Sequence, residues 1–242
     1  MAAYTSFLLL AFASCVLSEG GVFFNPCYKS DIKCLSNATE TFLEKTCNGY
    51  PNTEIKAIDP LVIPELKVVV DESMGLVFDF KNINIVGLKN QQISDFKMDT
   101  DKKSVVLKTK AILNIVADLK IEFTKQNKVF NGPYIAKTTA LGSSQYGYSF
   151  TKKDDKEYFV VGSEKNACEI IGEPDVEIGE ELQKALLNDA DAKAMKPDYE
   201  ANKVTLRKKT LCHIVEAAYV TVIHNIRAVA KLFPKEAFFL DI

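Results

Sequence analysis

Tryptophan is absent, histidine occurs only twice, and neither sign of charge dominates. Thirty basic residues face thirty-two acidic ones, for a formal net charge of −2. The charge balance and the scarcity of histidine each remove a class of function. A chain with a sequence pI near 5.8 lacks the basic excess that nucleic-acid binders use to neutralise phosphates. Two histidines leave little for general acid–base catalysis. Beyond the N-terminus no uninterrupted apolar run approaches the ~18 residues of a bilayer-spanning helix. Disorder is excluded too: 47% of the residues are apolar, enough to offset the entropy of ordering by burial.

What is present begins with a compartment signal. Phe7 to Leu17 form an eleven-residue apolar run, too short to span a membrane and of the length of a secretory h-region. Val16 and Ser18 supply the small residues that precede a cut, although no Lys or Arg stands before the run. The reading is a signal peptide over 1–18 and a secreted mature domain over 19–242. Cleavage would remove Cys15 and leave Cys27, Cys34, Cys47, Cys168 and Cys212. In an oxidising compartment these should pair, two bridges leaving one thiol over. Cys27 and Cys34 could close a tight loop, and Cys168 with Cys212 would pin distant segments. A zinc site would need more histidine or a second close cysteine pair. Asn37-Ala38-Thr39 is a glycosylation sequon, used if exposed.

Two periodicities organise the mature chain. Ile32, Leu35, Ala38, Phe42 and Leu43 recur at helical spacing before Asn48-Gly49 and Pro51, giving a short amphipathic helix over 31–46. From Val105 to Phe123 every second residue is apolar or small, which is the period of a half-buried strand. Typical strands run ~5–6 residues, so this one implies a large, twisted antiparallel sheet. Shorter alternations follow at 134–141, at Tyr146, Tyr148 and Phe150, and at 157–162. Over 201–233 the period becomes helical, with Leu211, Ile214, Val215, Ala218, Val222, Ile226 and Val229 on one stripe and Tyr219 and Val220 off it. A helix apolar on more than one side is a buried one. The expected fold is α+β: one elongated domain in which a highly curved antiparallel sheet wraps a long C-terminal helix.

Chemical motifs fail on inspection. Gly142 to Ser149 nears a phosphate loop, but Tyr148 stands where lysine belongs and the surroundings alternate as strand. Asp189, Asp191 and Glu200 echo a calcium loop without its turn glycine, Ala194 standing there; a solvated acidic helix end fits better. His213 and His224 are eleven residues apart, ~16 Å along a helix, too far to share a metal. No catalytic residue, metal or cofactor is expected.

Several segments together resemble a known family. Cys27 and Cys34 lead into Leu35-Ser36-Asn37-Ala38-Thr39-Glu40-Thr41-Phe42-Leu43-Glu44-Lys45. Ile58-Asp59-Pro60-Leu61 and Phe80-Lys81-Asn82-Ile83 follow, then the block from Gly87 to Phe96 and finally Val222-Ile223-His224-Asn225-Ile226-Arg227-Ala228. Over essentially the whole mature chain these are similar to the insect haemolymph juvenile hormone binding proteins, within the wider takeout-like family. The resemblance implies the same helix-in-sheet fold, bridges Cys27–Cys34 and Cys168–Cys212, and an unpaired Cys47. It also implies a ligand: juvenile hormone, a sesquiterpenoid methyl ester whose epoxide accepts hydrogen bonds. Tyr146 occupies the position resembling the family's epoxide-binding tyrosine, with Tyr148 on the same strand face behind it. The helix over 31–46, carrying Phe42 and Leu43, resembles a mobile gate that Phe238, Phe239 and Leu240 would latch. Missing tryptophan matters little, since Phe and Tyr can line such a cavity. The expectation is a monomeric haemolymph carrier, neither an enzyme nor membrane-inserted. The alternatives are a takeout-like carrier of a fatty acid, terpenoid or semiochemical, a membrane-active lipid-transfer protein, and a hormone hydrolase.

Overall fold

The structure is a computed structural model in which residues 25–242 are described. The expected signal peptide and its cut after Ser18 lie outside the described residues.

The strand read from Val105 to Phe123 is the spine of the molecule. β4 (Ser104–Phe123) buries every second side chain along its length. On one edge it pairs throughout with β5 (Lys128–Lys153), from Ser104↔Gly147 to Phe123↔Lys128. Its other edge is divided. β2 (Leu76–Val86) pairs with the half from Asn114 to Phe123, and β3 (Gln92–Asp99) pairs with the half from Ser104 to Lys110. β1 (Leu61–Asp71) on β2 and β6 (Lys156–Ile178) on β5 complete a six-stranded antiparallel sheet. Dividing the edge of one strand between two partners lets a single sheet line both ends of an elongated interior.

β5 departs from expectation. The separate alternations at 134–141 and 146–150 belong to one strand of 26 residues, masked in the sequence by Gly132, Pro133, Gly142 and Gly147. Gly142 has a packing reason. A Cβ there would lie 2.1 Å from Cζ of Tyr219, so the helix approaches the sheet this closely only over a bare backbone.

Short helix α1 (Ile32–Thr46) forms as read, its N-terminus capped by Asp31, whose Oδ1 accepts from Cys34 N at 2.9 Å. The turn after β6 leads into α2 (Glu180–Asn188) and then α3 (Ala190–Leu232), 43 residues or ~64 Å of helix. α3 starts eleven residues before the expected 201. Asp189 caps it, accepting from Asp191 N and Ala192 N at 2.9 and 3.0 Å, so the acidic cluster is indeed a helix end. Its first turns carry few apolar residues and include Pro197, which hid them from a periodicity reading. Leu211, Ile214, Val215, Ala218 and Tyr219 are buried against the sheet, whereas Val220 is 52% exposed. The sheet therefore wraps α3 without enclosing it.

Cys27–Cys34 closes the loop ahead of α1, and Cys168–Cys212 ties β6 to α3, with Cα separations of 5.8 and 5.2 Å. The expectation of an unpaired Cys47 needs correction: no described cysteine is free, and Cys47 is wholly buried beneath the end of α1. After α3 the chain turns back beside the start of α1. Cys27 N donates to Phe238 O at 3.1 Å, and Leu240 N donates to Cys27 O at 3.0 Å.

Candidate functional site

Two blocks distant in sequence build one end of the interior. Buried Asp59 accepts through Oδ2 from Gly87 N and Lys89 N, both at 2.9 Å. That clamp fixes the turn Leu88–Asn90, at which Gly87 has φ 118° and no room for a Cβ, Ile112 O lying 2.1 Å from its place. The turn delivers Gln91 to the interior and starts β3, over which α1 lies, with Ile93 N donating to Ser36 Oγ at 3.2 Å.

Beneath α1 is a cavity of about 200 Å³, walled by α1, β3 to β6, α3 and the C-terminal tail. All five sequence-predicted ligand residues line it: Phe42 and Leu43 from α1, Tyr146 and Tyr148 from β5, and Phe238 from the tail. Phe159 is the centre of an aromatic cluster, 5.4 Å from Tyr148, 6.1 Å from Phe238 and 5.9 Å from Phe239 between ring centroids. Phe96 stacks on Phe239.

Charged side chains are missing from this wall among the described residues. Its buried polar groups are mostly committed. Asn225 grips the Lys56 backbone through both amide atoms, at 2.8 and 2.9 Å. Tyr219 and Thr109 share a hydrogen bond, and Thr109 Oγ1 donates to Gln91 Oε1 at 3.0 Å. Buried donors with no partner among the described residues are the amide nitrogen of Gln91 and the hydroxyls of Tyr146 and Tyr148. Burial alone drives the Tyr146 hydroxyl far above its usual value, so it stays protonated and able to donate. The Tyr148 hydroxyl is raised as well, by burial first and then by the negative charge of Asp99.

A model of the haemolymph juvenile hormone binding protein family matches residues 7–141, more than half of the chain. A juvenile hormone-binding protein of Manduca sexta is 51% identical over 230 residues, covering 94% of this chain and 100% of that one. The chain belongs to the haemolymph juvenile hormone binding protein family. Takeout 1 of Epiphyas postvittana, whose crystal structure covers 89% of this chain at a TM-score of 0.71 and 16% identity, shares the fold.

In this family member some site residues were not evident from sequence. Gln91 and Thr109 were missed, because a polar residue on an inner strand face signals little until its neighbours are known. Phe159 sat in a noted alternation, but nothing marked it as a cavity wall. Phe239 lines the cavity, whereas Leu240 does not: it is 56% exposed, and its backbone N–H donates to Cys27 O. Asn37 is exposed on α1. His213 lies exposed beside Glu216, and His224 bonds Glu54 O at 2.8 Å, both structural placements. No group of three potential metal ligands occurs among the described residues, and none of their helices is long and apolar enough to cross a membrane.

Proposed function

We propose that this protein is a secreted haemolymph carrier that encloses juvenile hormone in the cavity beneath α1. The observation that carries the reading is Tyr146, a buried hydroxyl with no partner among the described residues in an aromatic and aliphatic chamber. A buried donor left unpaired is costly, and an epoxide oxygen, which only accepts, would satisfy it. Gln91 Nε2 offers the second donor, suited to the ester carbonyl at the other end of the hormone. The tyrosine ring contributes apolar wall around its polar tip. Carriage rather than turnover fits a wall with no carboxylate, imidazole or thiol among its described residues. The exposed Asn37 sequon is an acceptor for the glycan of a secreted chain, and the bridges suit an extracellular one.

Size says how the cavity is used. Ligand pockets run ~300–1,000 Å³, so a chamber of about 200 Å³ must enlarge around a hormone. The wall that yields is α1. It contributes Phe42 and Leu43, and it is fixed to the C-terminal tail by the Cys27–Cys34 loop at its start. Burying about 400 Å² of ligand carbon at ~25 cal/mol per Å² gives ~10 kcal/mol gross, before the costs of ordering and desolvation.

The test is hormone binding to the mature protein and to Tyr146→Phe. Loss of one buried hydrogen bond, ~1–2 kcal/mol, weakens binding about 5- to 30-fold. Equal affinities would remove Tyr146 from the mechanism.

A further inference from the structure

At the opposite end of α3 lies a larger cavity, about 580 Å³, roofed by α2 and the first turns of α3. Its depth is apolar, with Phe78, Leu119, Ile121 and Phe123 from the sheet. Near the helices its character changes. Tyr134 is 2% exposed, and its hydroxyl has no partner among the described residues. Arg207 Nε is fully buried without a hydrogen bond, and the guanidinium forms no ion pair with any described residue. These two groups feel each other: burial pushes the Tyr134 hydroxyl up, the neighbouring Tyr199 adds to this, and the Arg207 charge opposes it. Exposed Lys193 and Lys196 line the same cavity. Neither of its two carboxylates bonds Arg207, although the Arg207 charge is the last and smallest of the influences that lower the Glu200 pKa. Glu200 is bonded to Lys203 at 2.9 Å, and Glu177 is exposed.

A half-buried guanidinium with an unbonded Nε and no ion-pair contact among the described residues is expensive, and its planar fork matches a carboxylate in two parallel hydrogen bonds. We propose that this second cavity binds a long-chain fatty acid, its alkyl tail toward Phe78 and Phe123 and its carboxylate on Arg207 and the Tyr134 hydroxyl. The volume falls in the range of single-ligand pockets. A neutral epoxide ester placed there would leave the arginine charge unpaired, so the site discriminates against the hormone proposed for the first cavity. The two sites are therefore separable by ligand charge.

The experiment titrates the mature, bridged protein with palmitate and, separately, with methyl palmitate, which keeps the chain and removes the charge. Palmitate should bind one per chain and at least about tenfold more tightly than the ester, the margin of a charge-assisted pair. Arg207→Gln should erase that preference, Arg207→Lys should restore part of it, and Tyr134→Phe should lower palmitate affinity a few-fold. Leu119→Trp, which fills the cavity without touching the charge, should block palmitate. Hormone binding by each variant serves as the control for folding and should stay unchanged. Equal binding of acid and ester, an Arg207→Gln variant that still prefers the acid, or palmitate displaced one-for-one by hormone would each overturn the proposal.

Discussion

The two cavities are made of the same strands and the same helix, yet their walls differ in kind. The one under α1 measures about 200 Å³ and carries no charge on its described wall; the one under α2 measures about 580 Å³ and is lined by Arg207, Lys193, Lys196, Glu177 and Glu200. Volume alone would give the hormone the larger chamber. Chemistry points the other way, because a neutral acceptor ligand is matched by an uncharged donor such as Tyr146 and mismatched by a desolvated arginine. The proposed assignments of hormone and fatty acid therefore rest on the polar group left unsatisfied at each end rather than on the space available.

What keeps the ends separate is solid core. Between Thr210, on the second cavity, and Val222, on the first, α3 runs ~18 Å through Leu211, Ile214, Val215, Ala218 and Tyr219, none of which lines either cavity. Tyr219 lies over Gly142 and is tied to Thr109. The largest effect is expected from removing that partition. Tyr219→Ala should cost roughly 3–5 kcal/mol of stability, as for other large aromatic truncations, seen as a lower denaturation midpoint. It should also open a void that lets ligands longer than the hormone bind at the α1 end. Leu113→Ala, equally central but with no hydroxyl, should cost about 2–5 kcal/mol and leave ligand length preference alone.

A smaller effect sharpens the contrast by motion. Hormone should slow amide exchange in α1 and leave α2 unchanged, while palmitate should protect α2 and the first turns of α3. Protection of the same helix by both ligands would mean that the cavities are not independent. Smallest of all is a pH effect. The Tyr146 hydroxyl is held above its ordinary value in the folded chain, so above about pH 10 the unfolded state binds fewer protons and stability falls as pH rises. Stability measured against pH should show a shallower alkaline decline in Tyr146→Phe, and hormone affinity should be flat between about pH 6 and 9.

How much of this was legible depends on what each feature is made of. β4 was readable to within a residue because alternation repeats a local rule, and α1 because its cap, stripe and stop residues all agree. The start of α3 was not, since Asp189 caps a segment whose first turns are polar and contain Pro197, so no apolar stripe announces it. The continuity of β5 was hidden by glycines, one of which exists for a helix side chain 77 positions away, Tyr219 over Gly142. Tyr146 was placed on an inner strand face by alternation, and the role proposed for it came from family resemblance. The second cavity left no trace. An unfilled volume is a relation between elements, and Arg207 in sequence is one more charge on a helix with many.

The central claim is that the uncharged cavity holds juvenile hormone through Tyr146. Its most direct test is equilibrium competition for labelled hormone on the mature protein and on Tyr146→Phe, with unlabelled hormone, farnesol and palmitate as competitors. The account predicts saturable binding displaced by hormone, poorly by farnesol, which lacks the epoxide, and not by palmitate, with about 5- to 30-fold loss in the variant. No saturable binding, full displacement by palmitate, or an unchanged Tyr146→Phe would contradict it.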